Sequence, residues 1–430
     1  MHLVIIGNGA AGVSAAFRVR EQDPDCRITM ISGESRYHFS RPALMYIFMG
    51  HMSYQNTKPY EDRVWEERKI TLVRDWVTGV DVDKKQLSLH NGKPLAYDKL
   101  LIATGSKPNK FGWPGQDLHG VQGLWGLPDL KMLYDNCQSA KRAVIVGGGL
   151  IGIELAEMLH SRGIKVTILV REKSYWDNVL NAEESQLVNE VIRENHLDLR
   201  LETELDSILD DGHNRVRAIR TKDGEEVTCE IVGLTAGVSP NVDLAKASGL
   251  ETGRGLLVNW KLETKHQDIY AAGDCAEIET PEGQRNVIQQ VWYTGKMQGE
   301  VVGDAICGKD RSYELVTWYN SAKFFDLEYQ TYGRVNMRVK NEQNLYWQHP
   351  SAKKSLRIVH TEDEGVIGYQ TMGIRSRHRV CQKWIEEQRS VEYVLEHLAE
   401  ANFDPEFFPR YESEIRLALA KGLSLSEGGA

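Results

Sequence analysis

Gly7, Gly9 and Gly12, and far along the chain Gly147, Gly149 and Gly152, repeat one spacing, G-x-G-x-x-G. Each copy follows a short apolar run, 2–6 and 143–146, and opens onto residues able to start a helix. Ala10 and Ala11 do so in the first copy, Leu150 and Ile151 in the second. Glycines at this spacing suit diphosphate binding. The first permits a tight strand-to-helix turn, the second lets backbone approach a pyrophosphate, and the third lets helix lie close on strand. The helix start then offers unpaired N–H groups and the positive end of a dipole to the phosphates. Two such turns predict two bound dinucleotides.

Side chains that would complete such sites stand at the expected distances. Glu34 lies about 20 residues past Gly12, where an acid accepts hydrogen bonds from ribose hydroxyls. The apolar run 269–272 ends in Gly273 and delivers Asp274. The run 100–102 ends in the small-residue turn Ala103, Thr104, Gly105, as needed where backbone passes close to a cofactor. Strand, turn and helix (2–6, 10–22), then strand 27–31, must position the first set. Strand 143–146, helix 150–161 ended by Gly163, and strand 165–170 must position the second. Between them 80–90 reads as an alternating strand, and 107–128, rich in Gly and Pro, as a crossover between domains. From about 314 onward a smaller α+β region is predicted, with 380–398 and 412–419 at helical spacing.

The bulk numbers narrow the class. A chain of 430 residues suits two or three domains. A net charge of −9, from 52 basic and 61 acidic side chains, argues against nucleic acid or a membrane surface as partner. No apolar run reaches 18 residues, so no membrane span is expected. The first strand begins at residue 2, leaving no signal peptide to expect. Six scattered cysteines without a C-x-x-C pair fit a reducing, cytoplasmic setting. The 13 histidines lack ligand spacing, so no metal is expected.

Taken together, GNGAAG (7–12), Glu34, FSRP (39–42), ATGS (103–106), GGGLIGIELAE (147–157), TAGVSPN (235–241) and YAAGDCA (270–276) resemble the FAD-dependent pyridine nucleotide–disulfide oxidoreductase superfamily. The likeness is to the branch of rubredoxin reductases, ferredoxin reductases and the NADH-binding part of nitrite reductase. It implies an α/β fold with two Rossmann-like dinucleotide-binding domains, glutathione reductase-like, plus a C-terminal α+β interface domain. The FAD domain would be discontinuous, 1–115 and 243–313, with the NAD(P)H domain at 116–242 and the interface domain at 314–430; a homodimer stays open. FAD would meet Gly7, Gly9, Ala10, Ala11, Gly12, Glu34, Arg41, Pro42, Ala103, Thr104, Gly105, Gly273 and Asp274, the last on a ribityl hydroxyl. NAD(P)H would meet Gly147, Gly149, Leu150, Ile151, Gly152, Arg171, Glu172 and Gly237.

The departures from the pattern matter as much. Disulfide reductases carry a C-x-x-x-x-C pair on the helix facing the flavin, and single-cysteine relatives keep a thiol that falls on Pro42 here. A proline cannot form a thiolate or flavin adduct, so electrons are expected to leave without a thiol relay. The ferredoxin-reductase branch places a lysine where this chain has Tyr46, paired with the glutamate matching Glu154. Tyr46 and Glu154 are therefore candidate catalytic groups facing the flavin, against plainer readings as a core aromatic and an exposed-face acid. At 168–174, ILVREKS, Val170 followed by Arg171 resembles NADPH-specific glutathione reductases, where arginine grips the 2′-phosphate. Glu172 nonetheless stands where a ribose acid belongs. Both NADPH and NADH stay open, with Arg171 tilting toward NADPH.

The resulting expectation is an enzyme passing hydride from NAD(P)H to FAD and electrons onward. A small acidic electron-carrier protein is the first acceptor; a quinone or dye, as in type II NADH dehydrogenases, is second. A non-catalytic, nicotinamide-responsive interaction protein is a third reading. Arg375, Arg377, His378, Arg379 and Lys383 concentrate positive charge, either as a solvated helix face or as the dock for that carrier.

Overall fold

The computed structural model describes residues 1–335, 341–363, 365–404, 406–407 and 409–427. They form two compact units: 1–111, 122–138 and 236–315 in the first, and 112–121, 139–235 and 316–430 in the second.

In the first unit, β1 (His2–Ile6), α1 (Ala10–Gln22), β2 (Arg27–Ile31), β3 (Ile70–Val73) and β4 (Lys99–Ile102) follow in chain order. With the strand Ile269–Ala271 they make a parallel sheet ordered Ile269–Ala271, β4, β1, β2, β3. Leu3, Val4, Ile5, Leu100 and Leu101 are wholly buried, as strands covered on both faces require. Ile6 pairs with both Ile31 and Ile102, so the chain leaves β1, β2 and β4 at one edge. That register gathers Gly7, Gly33 and Ala103 from distant parts of the sequence. The stretch read as one strand over 80–90 is instead a hairpin, Val77–Asp81 with Gln86–Leu89. Asp81 caps its turn by accepting from the Lys84 N–H (2.9 Å), and Lys85 takes φ +48°.

Helix α1 crosses the helix Trp292–Ile306 through a stripe of glycines. An ideal Cβ on Gly299 would sit 2.2 Å from the Ala11 carbonyl oxygen, so only glycine allows this approach. At the far end of the crossing, Asp304, 2% exposed, accepts from Arg18 (2.8 Å), Arg311 (2.9 Å) and Gln22. Burial alone would raise its carboxyl, but these donors outweigh it and hold the pKa at about 2. A depressed acid stabilises the fold above its unfolded value and loses that contribution as pH falls from about 4 to 2. Asp304→Asn should therefore cost about 2–4 kcal/mol at pH 7, read as a lower urea midpoint, with a smaller acid-induced loss below pH 4 than the parent.

The second unit contains β5 (Arg142–Val146), α2 (Leu150–His160), β6 (Lys165–Leu169) and α3 (Ala182–Glu194). Its parallel sheet runs Asp198–Arg200, β6, β5, Ile231–Leu234, with Val121–Gln122 at the edge. A three-stranded antiparallel sheet, Leu205–Asp210, Val216–Thr221 and Glu226–Thr228, is inserted before the last long strand. Helix α3 starts at a capping box: the Asn181 side chain accepts from the Glu184 N–H (2.7 Å) while Glu184 accepts from the Asn181 N–H (3.0 Å).

The C-terminal part of this unit is an antiparallel sheet of β7 (Tyr319–Phe324), β8 (Leu327–Gly333), β9 (Gln343–Gln348), β10 (Ser355–Thr361) and β11 (Gly365–Met372), ordered β7-β8-β11-β10-β9. One face packs Tyr332, Leu356, Ile358 and Tyr369 against Cys381 and Trp384 of α4 (His378–Glu386). Arg357 of β10, fully buried, pairs with the equally buried Glu184 of α3 (2.9 Å). It also donates to the carbonyls of Val335 (2.9 Å) and Val179 (3.1 Å). The α/β class and its two Rossmann-like parallel sheets are thus as the sequence predicts. Among the described residues no helix is long and apolar enough to cross a membrane.

Candidate functional site

The first glycine turn sits at the C-terminal edge of the first sheet. Gly7 adopts φ +108° and donates to the Ile31 carbonyl (2.8 Å), and a Cβ there would lie 2.1 Å from the Ala103 carbonyl oxygen. Gly9 caps α1 in extended conformation, and a Cβ there would meet nothing within 4 Å. The first turn of α1, with Ala10, Ala11 and Gly12, carries no acidic residue and no side-chain cap. Its N–H donors therefore face an open cradle of the kind an anion fills.

Around that cradle the structure joins residues the sequence kept apart. Glu34 and Arg41 form a bidentate pair (3.1 and 2.7 Å), and Glu34 also accepts from the Leu127 N–H (3.0 Å). Arg41 further donates to the Trp125 carbonyl and lies over the Phe39 and Trp125 rings. These bonds, together with the Tyr134 hydroxyl donating to the Ile47 carbonyl (3.0 Å), tie 122–138 to the first unit. A carboxylate has about four lone-pair directions, so Glu34, 18% exposed, keeps acceptor capacity for a ribose hydroxyl.

Thr104 donates to the Asn241 carbonyl (2.7 Å), and the Gly105 carbonyl accepts from the Asn241 N–H (2.8 Å). The Gly273 N–H is taken by Gln298 (2.8 Å). Asp274 accepts from the Ser106 hydroxyl (2.9 Å), which in turn accepts from the Gln290 amide (2.7 Å). Burial pushes the Asp274 carboxyl above its usual range. Gln290 and Gln298 were invisible to spacing arguments, whereas Ser106 is the last residue of ATGS (103–106) but was given no role there. The open Gly9 cradle, the free helix donors and the half-buried Asp274 fit the diphosphate and polyol parts of FAD.

Pro42 is the middle residue of a single helical turn, Arg41–Ala43, that leads into the short helix Leu44–Phe48. Tyr46 on that helix is 37% exposed with its ring near His51, so it is not a core aromatic. Cys26, Cys229, Cys275 and Cys381 are buried.

The second turn repeats the geometry. Gly147 has φ +129° and donates to the Leu169 carbonyl (3.0 Å), Gly149 caps α2, and Gly152 presses on the Gly147 carbonyl. Leu150 and Ile151 open α2, again without an acid or side-chain cap. Beneath the turn lies the buried Tyr175, whose hydroxyl donates to the Gly149 carbonyl (2.8 Å). At the end of β6, Val170 is buried while Arg171, 71% exposed, pairs with Glu172 (2.7 Å). An exposed pair of this kind is worth about 0–1 kcal/mol, so an arriving ribose or phosphate can separate it. Glu154 is half-buried on α2; burial, and then the Glu157 charge, push its carboxyl to about 7. Gly237, at φ +86°, belongs to the first unit.

The cluster of five positive charges is smaller than the sequence implied. Arg375 is chelated by both carboxylate oxygens of Glu328. The His378 ring lies 3.9 Å from that of Tyr319, and its burial lowers its pKa. Arg377, Arg379 and Lys383 stay exposed, Lys383 within 3.8 Å of Glu387.

Residues 1–299 match the family model described as pyridine nucleotide-disulphide oxidoreductase. The chain is 30% identical over 277 residues to the assimilatory nitrate reductase electron transfer subunit of Bacillus subtilis, covering 64% of this chain and 36% of that protein. It is 30% identical over 312 residues to the ferredoxin–NAD(+) reductase subunit of the benzene 1,2-dioxygenase system of Pseudomonas putida, covering 72% and 75%. Among solved structures, the NAD-dependent persulfide reductase from A. fulgidus superposes with a TM-score of 0.86 at 24% identity, over 100% of this chain and 84% of that one. This chain therefore belongs to the pyridine nucleotide-disulphide oxidoreductase family, and it is an oxidoreductase among FAD-dependent reductases that use NAD(H).

Proposed function

We propose that the enzyme takes hydride from NAD(P)H and hands electrons from its flavin to a small electron-carrier protein in the cytoplasm. FAD, when bound, supplies two-electron acceptance from nicotinamide and release in one- or two-electron steps. The chain's part is to hold and shield. The N–H donors of α1 would carry the FAD diphosphate, with Glu34 on a ribose and Asp274 on the polyol. The N-terminus of α2 would carry the nicotinamide nucleotide's diphosphate, and Arg171 and Glu172 would read its adenosine ribose. Tyr46 and Glu154 are the polar groups proposed to face the reacting rings.

The observation that carries the acceptor reading is Pro42. The helical turn on which thiol-using relatives keep a cysteine carries here, as its second residue, a ring that cannot relay electrons, so the acceptor must meet the flavin itself. The likeness to a ferredoxin–NAD(+) reductase subunit supports a protein acceptor. Arg377, Arg379 and Lys383 are the exposed charges available to an acidic one. The test is anaerobic: NADH or NADPH is mixed with the purified enzyme, and reduction of ferredoxin, rubredoxin, a quinone and O₂ is followed. The reading expects a carrier protein to be reduced at least tenfold faster than quinone or O₂; the reverse order defeats it. Arg171→Gln is expected to lower kcat/KM for NADPH about tenfold while leaving that for NADH within threefold.

A further inference from the structure

The segment joining β6 to α3 starts with Arg171 and Glu172 and is then pinned on three sides. Asn189 of α3 accepts from the Tyr175 N–H (3.2 Å) and donates to the Ser174 hydroxyl (2.8 Å). The Tyr175 ring meets Phe324 of β7 edge-on at 6.3 Å. Trp176, next in line, has φ +56°, a region a bulky residue occupies only when its surroundings over-determine it. Its ring lies 5.9 Å from Phe324 and 5.3 Å from Tyr329 of β8. Arg357 of β10 then holds the Val179 carbonyl. The C-terminal sheet thus contacts this turn at Tyr175, Trp176 and Val179.

The turn reaches the second glycine motif through the Tyr175 hydroxyl, which joins the Gly152 and Ile153 N–H groups (3.1 and 3.2 Å) on the Gly149 carbonyl. Tyr175 donates to the carbonyl of Gly149, and the same peptide unit carries the Leu150 N–H, a first-turn donor of α2 with no intrahelical acceptor. Peptide units are planar, so fixing the oxygen fixes the direction of that N–H. A hydrogen bond to the oxygen also polarises the amide and makes its N–H a better donor.

We propose that Tyr175 is a positioning residue for the nicotinamide nucleotide, and that the C-terminal sheet sets that site's affinity by clamping residues 174–176. The inference rests on the reading that the second glycine turn takes the nicotinamide nucleotide's diphosphate. On this view the C-terminal region is part of the nucleotide site's support, whatever else it binds.

The test uses full-length enzyme, with ADP-ribose binding followed by calorimetry and flavin reduction by stopped flow. Tyr175→Phe keeps the ring and removes the donor. It should raise the ADP-ribose Kd about three- to tenfold, as one lost hydrogen bond predicts. The limiting rate of flavin reduction at saturating NAD(P)H should stay within twofold, a split that general destabilisation would not produce. Phe324→Leu keeps the hydroxyl, loosens the clamp, and should move the Kd in the same direction. It also reads the clamp should Tyr175→Phe fail to fold. Wild-type ADP-ribose affinity in the folded variants overturns the inference. A parent enzyme that itself fails to bind ADP-ribose defeats the nucleotide reading, and this inference with it.

Discussion

Gly7→Ala is expected to yield a protein that is either insoluble or colourless. The residue sits at φ +108°, where a Cβ costs about 1–2 kcal/mol by itself. That Cβ would also lie 2.1 Å from the Ala103 carbonyl oxygen and 2.8 Å from its carbon, both backbone atoms of the neighbouring strand. No rotamer change relieves such a contact, so β1 and β4 must separate at the edge where the cofactor cradle is built. A total near 3–5 kcal/mol is a large share of an ordinary domain's stability. Gly9→Ala makes the informative comparison. Gly9 has φ −72° and open space where its Cβ would go, so the fold should tolerate it with a thermal midpoint within about 2 °C of the parent. The added methyl would instead enter the cradle and weaken flavin retention. The ratio of visible to ultraviolet absorbance, read beside the melting curve, separates the two effects. A Gly7→Ala protein as yellow and as stable as the parent would refute the close-approach argument.

Glu154→Gln is expected to stabilise the protein above neutral pH and to flatten its stability profile. Burial, followed by the Glu157 charge, lifts the carboxyl from 4.5 to about 7. An acid whose folded pKa is raised holds its proton in the native state after the unfolded chain has lost it. Stability then declines as pH rises from about 4.5 to 7, and the penalty is complete above that. A shift of about 2.5 units corresponds to a loss of up to about 3 kcal/mol. The glutamine variant lacks this ionisation, so its urea midpoint at pH 8 should exceed the parent's, while near pH 5 the two should converge. Glu157→Gln should lower the Glu154 pKa by removing the second cause. If the midpoints of parent and Glu154→Gln differ equally at pH 5 and pH 8, the carboxyl does not titrate in this window.

Much of the architecture was legible because its signals are local. A G-x-G-x-x-G spacing is a strand, a turn and a helix start within a dozen residues, and its chemistry belongs to backbone atoms that follow from φ and steric room. Glu34 could be proposed because its distance from the first turn follows from strand and helix lengths, whereas Asp274 was proposed from the resemblance carried by YAAGDCA (270–276). The hairpin at 77–89 was missed because its turn relies on a side-chain cap from Asp81 and a positive φ at Lys85, neither of which breaks the apolar alternation. The glycine stripe 295, 299, 303 has helical spacing and could have been read as a close helix crossing, but nothing in it names the partner helix.

What the amino-acid order predicted by itself was the α/β class and the two glycine turns, with Glu34 at ribose spacing past the first; the role of Asp274 and the meaning of Pro42 came from the family resemblance. The glycine turns and the Glu34 spacing depend on contacts within a few dozen residues. Only the tertiary fold decided which charges are available and which are used up. Glu328 neutralises Arg375 from 47 positions away, and Asp304 gathers Arg18 across 286. Glu184 and Arg357 meet across 173 positions, and Tyr175 finds Gly149 across 26. Such pairs leave no spacing to read, because a buried charge or hydroxyl must be satisfied by whatever the packed elements bring beside it.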